Sequence, residues 1–156
     1  MNRKTMGICI FILLLAIIGI CLMFFNKKGN NMNYSDKTIR LTVNGATFAV
    51  SLANNSSSEA FYEKLKEGNI VIEAEDYGSF EKVGDLGFEL PRNDQEITTK
   101  PGDIILYQGN KLTLYYAKNT YNFTLIGSIK DTNESYLKTV LGSGSVTLIF
   151  SLWLLI

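Results

Sequence analysis

The sequence predicts a mostly β protein: a small β-barrel of seven or eight strands with two short helices, preceded by an N-terminal transmembrane helix. Apolar and polar residues alternate with a period of two in several short stretches between residues 38 and 150, as they do in half-buried strands. Turns rich in Gly and Asn separate these stretches, and only two short segments carry helix start signals. Many short strands with tight turns favour a barrel over a layered α/β fold.

The N-terminal segment predicts a membrane anchor. Residues 1–5 form a short basic arm, and Met6 to Phe25 are twenty residues without a charge. At about 1.5 Å per residue, a helix of this length spans the ~30 Å hydrocarbon core of a bilayer. We expect the arm to stay inside the cell, which makes the chain a single-pass protein of the cell membrane with an extracytoplasmic folded domain.

Two other processing routes are alternatives to this anchor. A cleaved signal peptide needs a shorter apolar region and a small-x-small cleavage site, and the residues after Phe25 offer no such site. A lipid-modified Cys21 needs a small residue before the cysteine, whereas Ile20 precedes it. We therefore expect an uncleaved anchor, followed at residues 26–37 by a polar tether that is too poor in apolar side chains to fold.

The barrel, predicted over residues 38–150, begins with a β-hairpin. Alternation starts at Thr38 and runs to Asn44-Gly45, a pair typical of the type I′ turn, and β-forming residues resume as far as Leu52. The hairpin is the first unit of the barrel.

A helix and a strand follow the hairpin. Ser56-x-x-Glu59 has the pattern of a capping box, and the helix that it predicts ends at Gly68. Asn69 to Glu75 alternates again, which predicts a strand with one buried and one solvated face.

The middle of the chain, Tyr77 to Lys100, is predicted to be mostly loop with a short extended piece at Phe80 to Val83. Long irregular segments of compact domains often carry functional sites. We therefore expect a site in this segment.

The last third of the chain is predicted to complete the barrel. Its elements are strands at 103–107 and 111–117 around Gln108-Gly109-Asn110, a strand at 123–129, a helix that begins at Asp131-x-x-Glu134 and ends near Gly142, and a strand at 145–150. Residues 151–156 are then an apolar tail beyond the barrel, which would expose an apolar patch.

Composition and charge exclude several classes of function. The chain has no histidine, which removes Ser-His-Asp and Cys-His catalysis and imidazole ligation of zinc. The formal net charge is zero, and the chain after residue 28 holds eleven bases against fifteen acids, so nucleic acid is not expected as a partner. Both cysteines, Cys9 and Cys21, lie in the apolar run, which excludes a disulfide framework for the folded domain.

Five segments of the chain, in this order, carry a resemblance to a known family. They are Ile39-Arg-Leu-Thr-Val-Asn-Gly-Ala-Thr-Phe, Tyr77-Gly-Ser-Phe-Glu-Lys-Val-Gly, Leu90-Pro91, Pro101-Gly-Asp-Ile-Ile-Leu-Tyr-Gln-Gly-Asn and Leu141-Gly-Ser-Gly-Ser-Val-Thr. With these segments the chain resembles the bacterial cyclophilin-like fold domains of unassigned function, from Thr38 to about Phe150. The resemblance implies a closed eight-stranded barrel with two helices at its ends, and it implies no activity.

The chain departs from the true cyclophilins in the residues that serve prolyl isomerisation there. Those enzymes use an arginine in a Phe-x-x-Gln groove lined by a histidine and a tryptophan. Here the arginines beyond the anchor are Arg40 and Arg92, and the single tryptophan, Trp153, lies in the tail. The apolar run at residues 151–156 is a further departure, because the last strand of the family usually ends in polar residues.

Three clusters of residues are candidate sites. Glu73, Glu75 and Asp76 have the residue types of an acid/base or hard-cation site, but their alternation with apolar residues favours a solvated strand face. Aromatic residues around the second hairpin could stack on a peptide or a sugar ring, although half-buried packing is the more common role. They are Tyr107, Tyr115, Tyr116, Tyr121 and Phe123. Gly142-Ser-Gly-Ser lacks the helix and lysine of a phosphate-binding loop and predicts a turn.

The sequence as a whole favours a membrane-tethered, extracytoplasmic cyclophilin-like binding or interaction module. It assigns no catalytic residue, metal ligand or cofactor, and it singles out no ligand-binding residue. The expected partners are the membrane, through the N-terminal helix, and a peptide or protein. Two alternatives are a weak peptidyl-prolyl cis-trans isomerase with an atypical groove and, from the resemblance alone, a membrane-held accessory to a redox partner.

Overall fold

The structure, a computed structural model, describes residues 33–153. The strands are β1 Tyr34–Val43, β2 Ala46–Ala53, β3 Ile70–Tyr77, β4 Glu81–Asp85, β5 Gln95–Thr98, β6 Asp103–Tyr107, β7 Lys111–Tyr115, β8 Thr120–Ile129 and β9 Val146–Ser151, and the helices are α1 Ser56–Glu67 and α2 Glu134–Leu141. The predicted transmembrane helix at residues 6–25 lies outside the described residues. Within the described part of the chain, no helix is both long and apolar enough to cross a membrane.

Eight strands form the predicted closed barrel. Their order is β2-β1-β9-β3-β4-β7-β6-β8, every neighbouring pair is antiparallel, and β8 pairs with β2 to close the ring. At the closure, Gly127 of β8 lies so close to β2 that a Cβ atom on it would be 2.7 Å from the backbone oxygen of Ser51. Only glycine fits this approach without a shift of the backbone.

A ninth strand, β5, pairs only with the first half of β8 and lies outside the ring. The sequence did not predict it, since Gln95–Thr98 has a single apolar residue, Ile97. Pairing with β8 buries that residue in a second, smaller hydrophobic cluster on the outer side of the barrel. This outer cluster comprises Ala53, Ile97, Ile105, Tyr115, Phe123 and Leu125.

The first hairpin has the predicted geometry. Asn44 and Gly45 both have positive φ, as a type I′ turn requires, and Val43 pairs with Ala46 across the turn. Strand β1 begins at Tyr34, so it includes the last four residues of the segment expected to be a tether.

Both helices occur where they were predicted, but each is capped by a different residue. Asn55, not Ser56, is the N-cap of α1, since its side chain accepts from the backbone N–H of Ser58. Asn133, not Asp131, caps α2 in the same way through the N–H of Tyr136. Asparagine in an extended backbone is a favourable cap, so a capping-type residue beside the predicted one took the role.

The main core fills the barrel and continues to the end of the described chain. The helices pack Phe61 and Leu137 into it, both fully buried. Ser151, which was expected in the tail, is the buried last residue of β9, and Leu152 packs against the core. The barrel therefore extends beyond the expected end at residue 150, and residues 154–156 lie outside the described residues.

Candidate functional site

A cleft of about 780 Å³ lies on the outer face of the barrel, across strands β3, β4 and β7. These strands alternate, so every second side chain enters the core and the others face outward. Val83 and Thr113 are cross-strand neighbours on the cleft side of β4 and β7. The outer face of the sheet therefore forms the floor of the cleft.

One side of the cleft is aromatic. Phe80 stacks on Tyr115, with ring centroids 5.9 Å apart and planes 6° from parallel. The ring centroids of Tyr115 and Phe123 are 5.6 Å apart. Tyr107 and Tyr121 continue the wall, with their rings 6.3 Å apart. These rings all line the cleft, a surface suited to a flat or cationic group.

Four of the five aromatic residues singled out in the sequence line this cleft, and Tyr116 does not. Tyr116 follows Tyr115 directly, so its ring lies on the other side of the strand and packs against the main core. Its hydroxyl donates to Asp76 at 3.0 Å, and burial together with that carboxylate raises its pKa to about 12. Tyr116 is thus a buried structural residue.

Glu81 is the buried acid of the cleft. It pairs with Tyr77 of β3 on one side and Tyr115 of β7 on the other, and only 7% of its surface is exposed. Its Oε2 atom is buried without a hydrogen-bond partner among the described residues. Burial raises the pKa of Glu81, and the Tyr115 hydroxyl beside it partly offsets that rise. Burial and the nearby carboxyl group also raise the pKa of Tyr115.

The opposite side of the cleft is acidic. Glu73 and Glu75 project from the cleft side of β3 and are exposed, as the alternation predicted. Glu73 accepts a hydrogen bond from the Thr147 hydroxyl at 2.8 Å. At the far end Asp85 pairs with Lys111 at 2.5 Å. Within the described residues Glu73, Glu75 and Glu81 have no salt-bridge partner, so the cleft carries uncompensated negative charge.

Asp76 does not act with Glu73 and Glu75 as one carboxylate cluster. It pairs with the fully buried Lys82 at 2.9 Å and accepts from the backbone N–H of Gly144. The lysine holds the pKa of Asp76 below its usual range. In the part of the chain that is described, no three acidic or cysteine side chains converge to hold a metal ion. The three adjacent acids therefore serve two separate roles.

The Gly142-Ser-Gly-Ser segment is a turn into β9, as predicted. Lys82 donates to the backbone oxygens of Gly142 at 3.0 Å and Gly144 at 2.6 Å. The segment thus presents carbonyl groups to a cation from inside the barrel. That is the opposite of a phosphate-binding loop, which presents N–H groups to an anion.

Neither of the two arginines beyond the anchor lines the cleft. Arg40 donates to the Ser151 hydroxyl at 2.9 Å and lies over the ring of Trp153, 5.6 Å from its centroid. Arg92 is exposed and pairs with Asp94, whose other oxygen accepts from Thr124. Both arginines are held by partners within the fold.

The sequence reasoning missed the two residues that complete the cleft, Phe80 and Glu81. A usable signal was present in Glu81-Lys-Val-Gly-Asp85, where alternate residues place two acids and a valine on one face of a strand. What the sequence could not show is that this face pairs with β7 and so with Tyr115.

A closed eight-stranded barrel with two helices packed onto its core, and with a cleft on its outer face, defines a cyclophilin-like domain. The match to a family model is in agreement: the chain belongs to the cyclophilin-like family, whose model matches residues 41–151. No curated protein and no solved structure matches the chain. The resemblance seen in the sequence is thereby confirmed.

Proposed function

We propose that this protein is a membrane-tethered, extracytoplasmic cyclophilin-like binding module, and that the outer cleft is its ligand site. The observation that carries the proposal is the cleft itself. Its volume, about 780 Å³, falls in the range of about 300–1,000 Å³ that is usual for ligand sites. Its aromatic wall and the unpartnered carboxyl oxygen of Glu81 are groups that a ligand can satisfy.

The residues around the cleft favour binding over catalysis. The chain has no histidine, and the described arginines are paired elsewhere. Accelerated prolyl isomerisation needs donors aimed at the twisted amide, whose rotation barrier is about 20 kcal/mol. The side chains that bring nitrogen donors to the cleft are those of Asn119, which is uncharged, and Lys111, which is charged. Lys111 is already paired with Asp85.

Peptide display tests the binding role. A random peptide library is panned against the full-length protein held in a nonionic detergent. We expect enriched peptides that bind the native chain and lose at least about fivefold in affinity with Tyr121→Ala, because stacking on an exposed ring contributes on the order of 1 kcal/mol or more. Tyr136→Ala is the matched control, since Tyr136 is similarly exposed but lies on α2, outside the cleft.

Two results would contradict the binding role. One is that no peptide is enriched above the level found with an empty support. The other is that the Tyr121→Ala and Tyr136→Ala proteins bind the enriched peptides equally well, which would place the contact surface elsewhere.

A coupled isomerase assay separates this function from the enzymatic alternative. With a proline-containing peptide we expect the uncatalysed rate. An acceleration of about a hundredfold that Arg92→Ala abolishes would instead establish the isomerase, since a well-placed donor is worth that much in rate.

Cell fractionation tests the tether. The uncharged segment at residues 6–25 should keep the chain in washed membranes, and arginine at both Leu14 and Leu15 should release it. Protease added to intact cells should remove the folded domain if it faces outward. A diacylglycerol adduct on Cys21, seen in the intact mass, would replace the uncleaved anchor with a lipid anchor.

A further inference from the structure

We propose that the cleft binds an organic ammonium group, with Glu81 as its counter-ion and with the aromatic side chains of the cleft packed against it. The proposal rests on the cleft being a ligand site and names the chemical class of the ligand. A lysine side chain of a peptide and a free polyamine share this chemistry. Three independent features of the cleft lead to this class.

The first feature is the buried carboxyl group of Glu81. A buried oxygen without a partner costs free energy, and such groups in native proteins call for an explanation. Glu81 is less than a tenth exposed, lies on the cleft side of β4 and has Oε2 unpartnered in the described structure. A rotation of the Glu81 side chain that turns this buried oxygen toward the cleft would let a donor there supply the missing hydrogen bond, and an ammonium group would also supply the charge.

The second feature is the charge around Glu81. Glu75 and Tyr77 of β3 line the same cleft as Glu81, and so does Tyr115 of β7. Lys111, the lysine among the lining residues, is held by its cross-strand partner Asp85, four residues along β4 from Glu81. A cation entering the cleft therefore meets carboxylates that no described lysine or arginine neutralises.

The third feature is the aromatic wall, which selects an organic cation over a metal ion. Tyrosine and phenylalanine rings attract ammonium groups by about 0.5–2 kcal/mol each, and they also accommodate the attached methylene groups. A hard metal ion instead needs several converging oxygen ligands. No such convergence occurs among the described residues.

Isothermal titration calorimetry on the full-length protein in nonionic detergent tests the proposal, at about pH 8 because burial raises the pKa of Glu81 above that of an ordinary carboxyl group. The probes are blocked lysine amide, spermidine, blocked norleucine amide and calcium chloride. We expect the two ammonium probes to bind and norleucine, which has a methylene chain but no charge, to bind at least about tenfold more weakly. Tighter binding of blocked lysine amide would indicate a peptide side chain as the ligand, and tighter binding of spermidine would indicate a free polyamine.

Glu81→Gln should weaken binding of the ammonium probes at least about tenfold. Glu67→Gln is the matched control, because it removes the same charge from an exposed end of α1. Because burial raises the pKa of Glu81, binding of a cation should also release protons from it, and this release should grow as the pH is lowered, which appears as a dependence of the heat on the buffer. Glu81→Gln should abolish this release, a readout that a purely structural role would not produce. If that variant does not fold, Glu75→Gln, a change at an exposed residue, should weaken binding about threefold.

The proposal is overturned if norleucine binds as well as lysine, if calcium binds in place of the ammonium probes, or if Glu81→Gln and Glu67→Gln bind alike. Absence of heat from every probe at about ten millimolar overturns it as well, since a site of this chemistry should bind more tightly. The peptide panning decides the binding function separately. Peptides that depend on Tyr121 but carry no lysine would retain the binding module and reject the ammonium ligand.

Discussion

Lys82 and Glu81 are neighbours in β4, both are buried, and they face opposite sides of the same sheet. Inside the barrel, the Lys82 ammonium meets Asp76 and two backbone carbonyl groups, so its donors are used. On the outer side, Glu81 keeps an oxygen that nothing in the described chain satisfies. A buried polar group with partners supports the fold, whereas a buried polar group without partners costs free energy and calls for an explanation.

The largest expected effect is the loss of Lys82. Lys82→Met should lower the free energy of unfolding by about 2–4 kcal/mol, because it leaves Asp76 and the carbonyl groups of Gly142 and Gly144 without their donor. Urea denaturation measures the change. Lys111→Met removes an exposed lysine from the cleft side and should cost less than about 1 kcal/mol. Equal losses for the two variants would contradict the contrast between the two sides of the sheet.

A smaller loss is expected where the barrel closes. Gly127→Ala should lower the free energy of unfolding by about 1–3 kcal/mol, since the added Cβ meets the backbone of β2. Gly45→Ala offers a useful contrast, because nothing lies within 4 Å of its Cβ position and only its positive φ resists the change. Should Gly127→Ala melt like the native protein, β8 and β2 would not approach as closely as the structure has them.

Glu81→Gln should raise the free energy of unfolding, whereas the substitutions above lower it. The raised pKa of Glu81 means that its ionisation works against the fold, so the native carboxyl group favours folding only while it is protonated. The variant should therefore be more stable than the native protein near pH 8. The difference should vanish below the unfolded value of 4.5. Thermal melts across this pH range measure it, and a destabilised variant at pH 8 would mean that Glu81 has a partner in solution.

The smallest effect is expected at Asp76, with the reverse pH dependence. Its pKa is lowered, chiefly by Lys82, so its charge contributes stability that is present above the unfolded value of 3.8 and is lost as the pH falls through the folded value. Asp76→Asn should cost less near pH 7 than Lys82→Met, because the Asp76 side chain is about a third exposed and asparagine keeps an oxygen for the Lys82 ammonium group. The same pH series of melts should show native and variant converging in acid, and a gap that widens there would contradict the assignment.

The sequence was sufficient for the barrel because its strands are periodic and its turns carry Asn and Gly at the positions that need positive φ. It was insufficient for β5, whose one buried residue, Ile97, depends on a partner strand more than twenty positions away. The two helix caps differ from prediction since asparagines stand beside the residues of the predicted capping boxes. Local patterns settle local structure, and β5 depends on pairing that no local pattern contains.

The cleft was predictable only in part for the same reason. The aromatic cluster could be predicted because its members are close in sequence. The exception is Tyr116, whose ring packs against the main core and not in the cleft with Tyr115. Glu81 could not be assigned to it, because the strand that brings Glu81 to Tyr115 pairs over more than thirty residues. A buried acid in an otherwise polar stretch has no signature until its cross-strand neighbours are known.

The lone tryptophan gives the molecule two independent optical signals. Trp153 lies against Arg40 beside the last strand and is not among the residues that line the cleft, whereas the cleft is lined with tyrosines. Tryptophan emission should therefore report whether the end of β9 is in place and stay largely unchanged when the cleft is occupied. Tyrosine emission should respond to occupancy. Unfolding and binding can thus be followed in one sample by the choice of excitation wavelength.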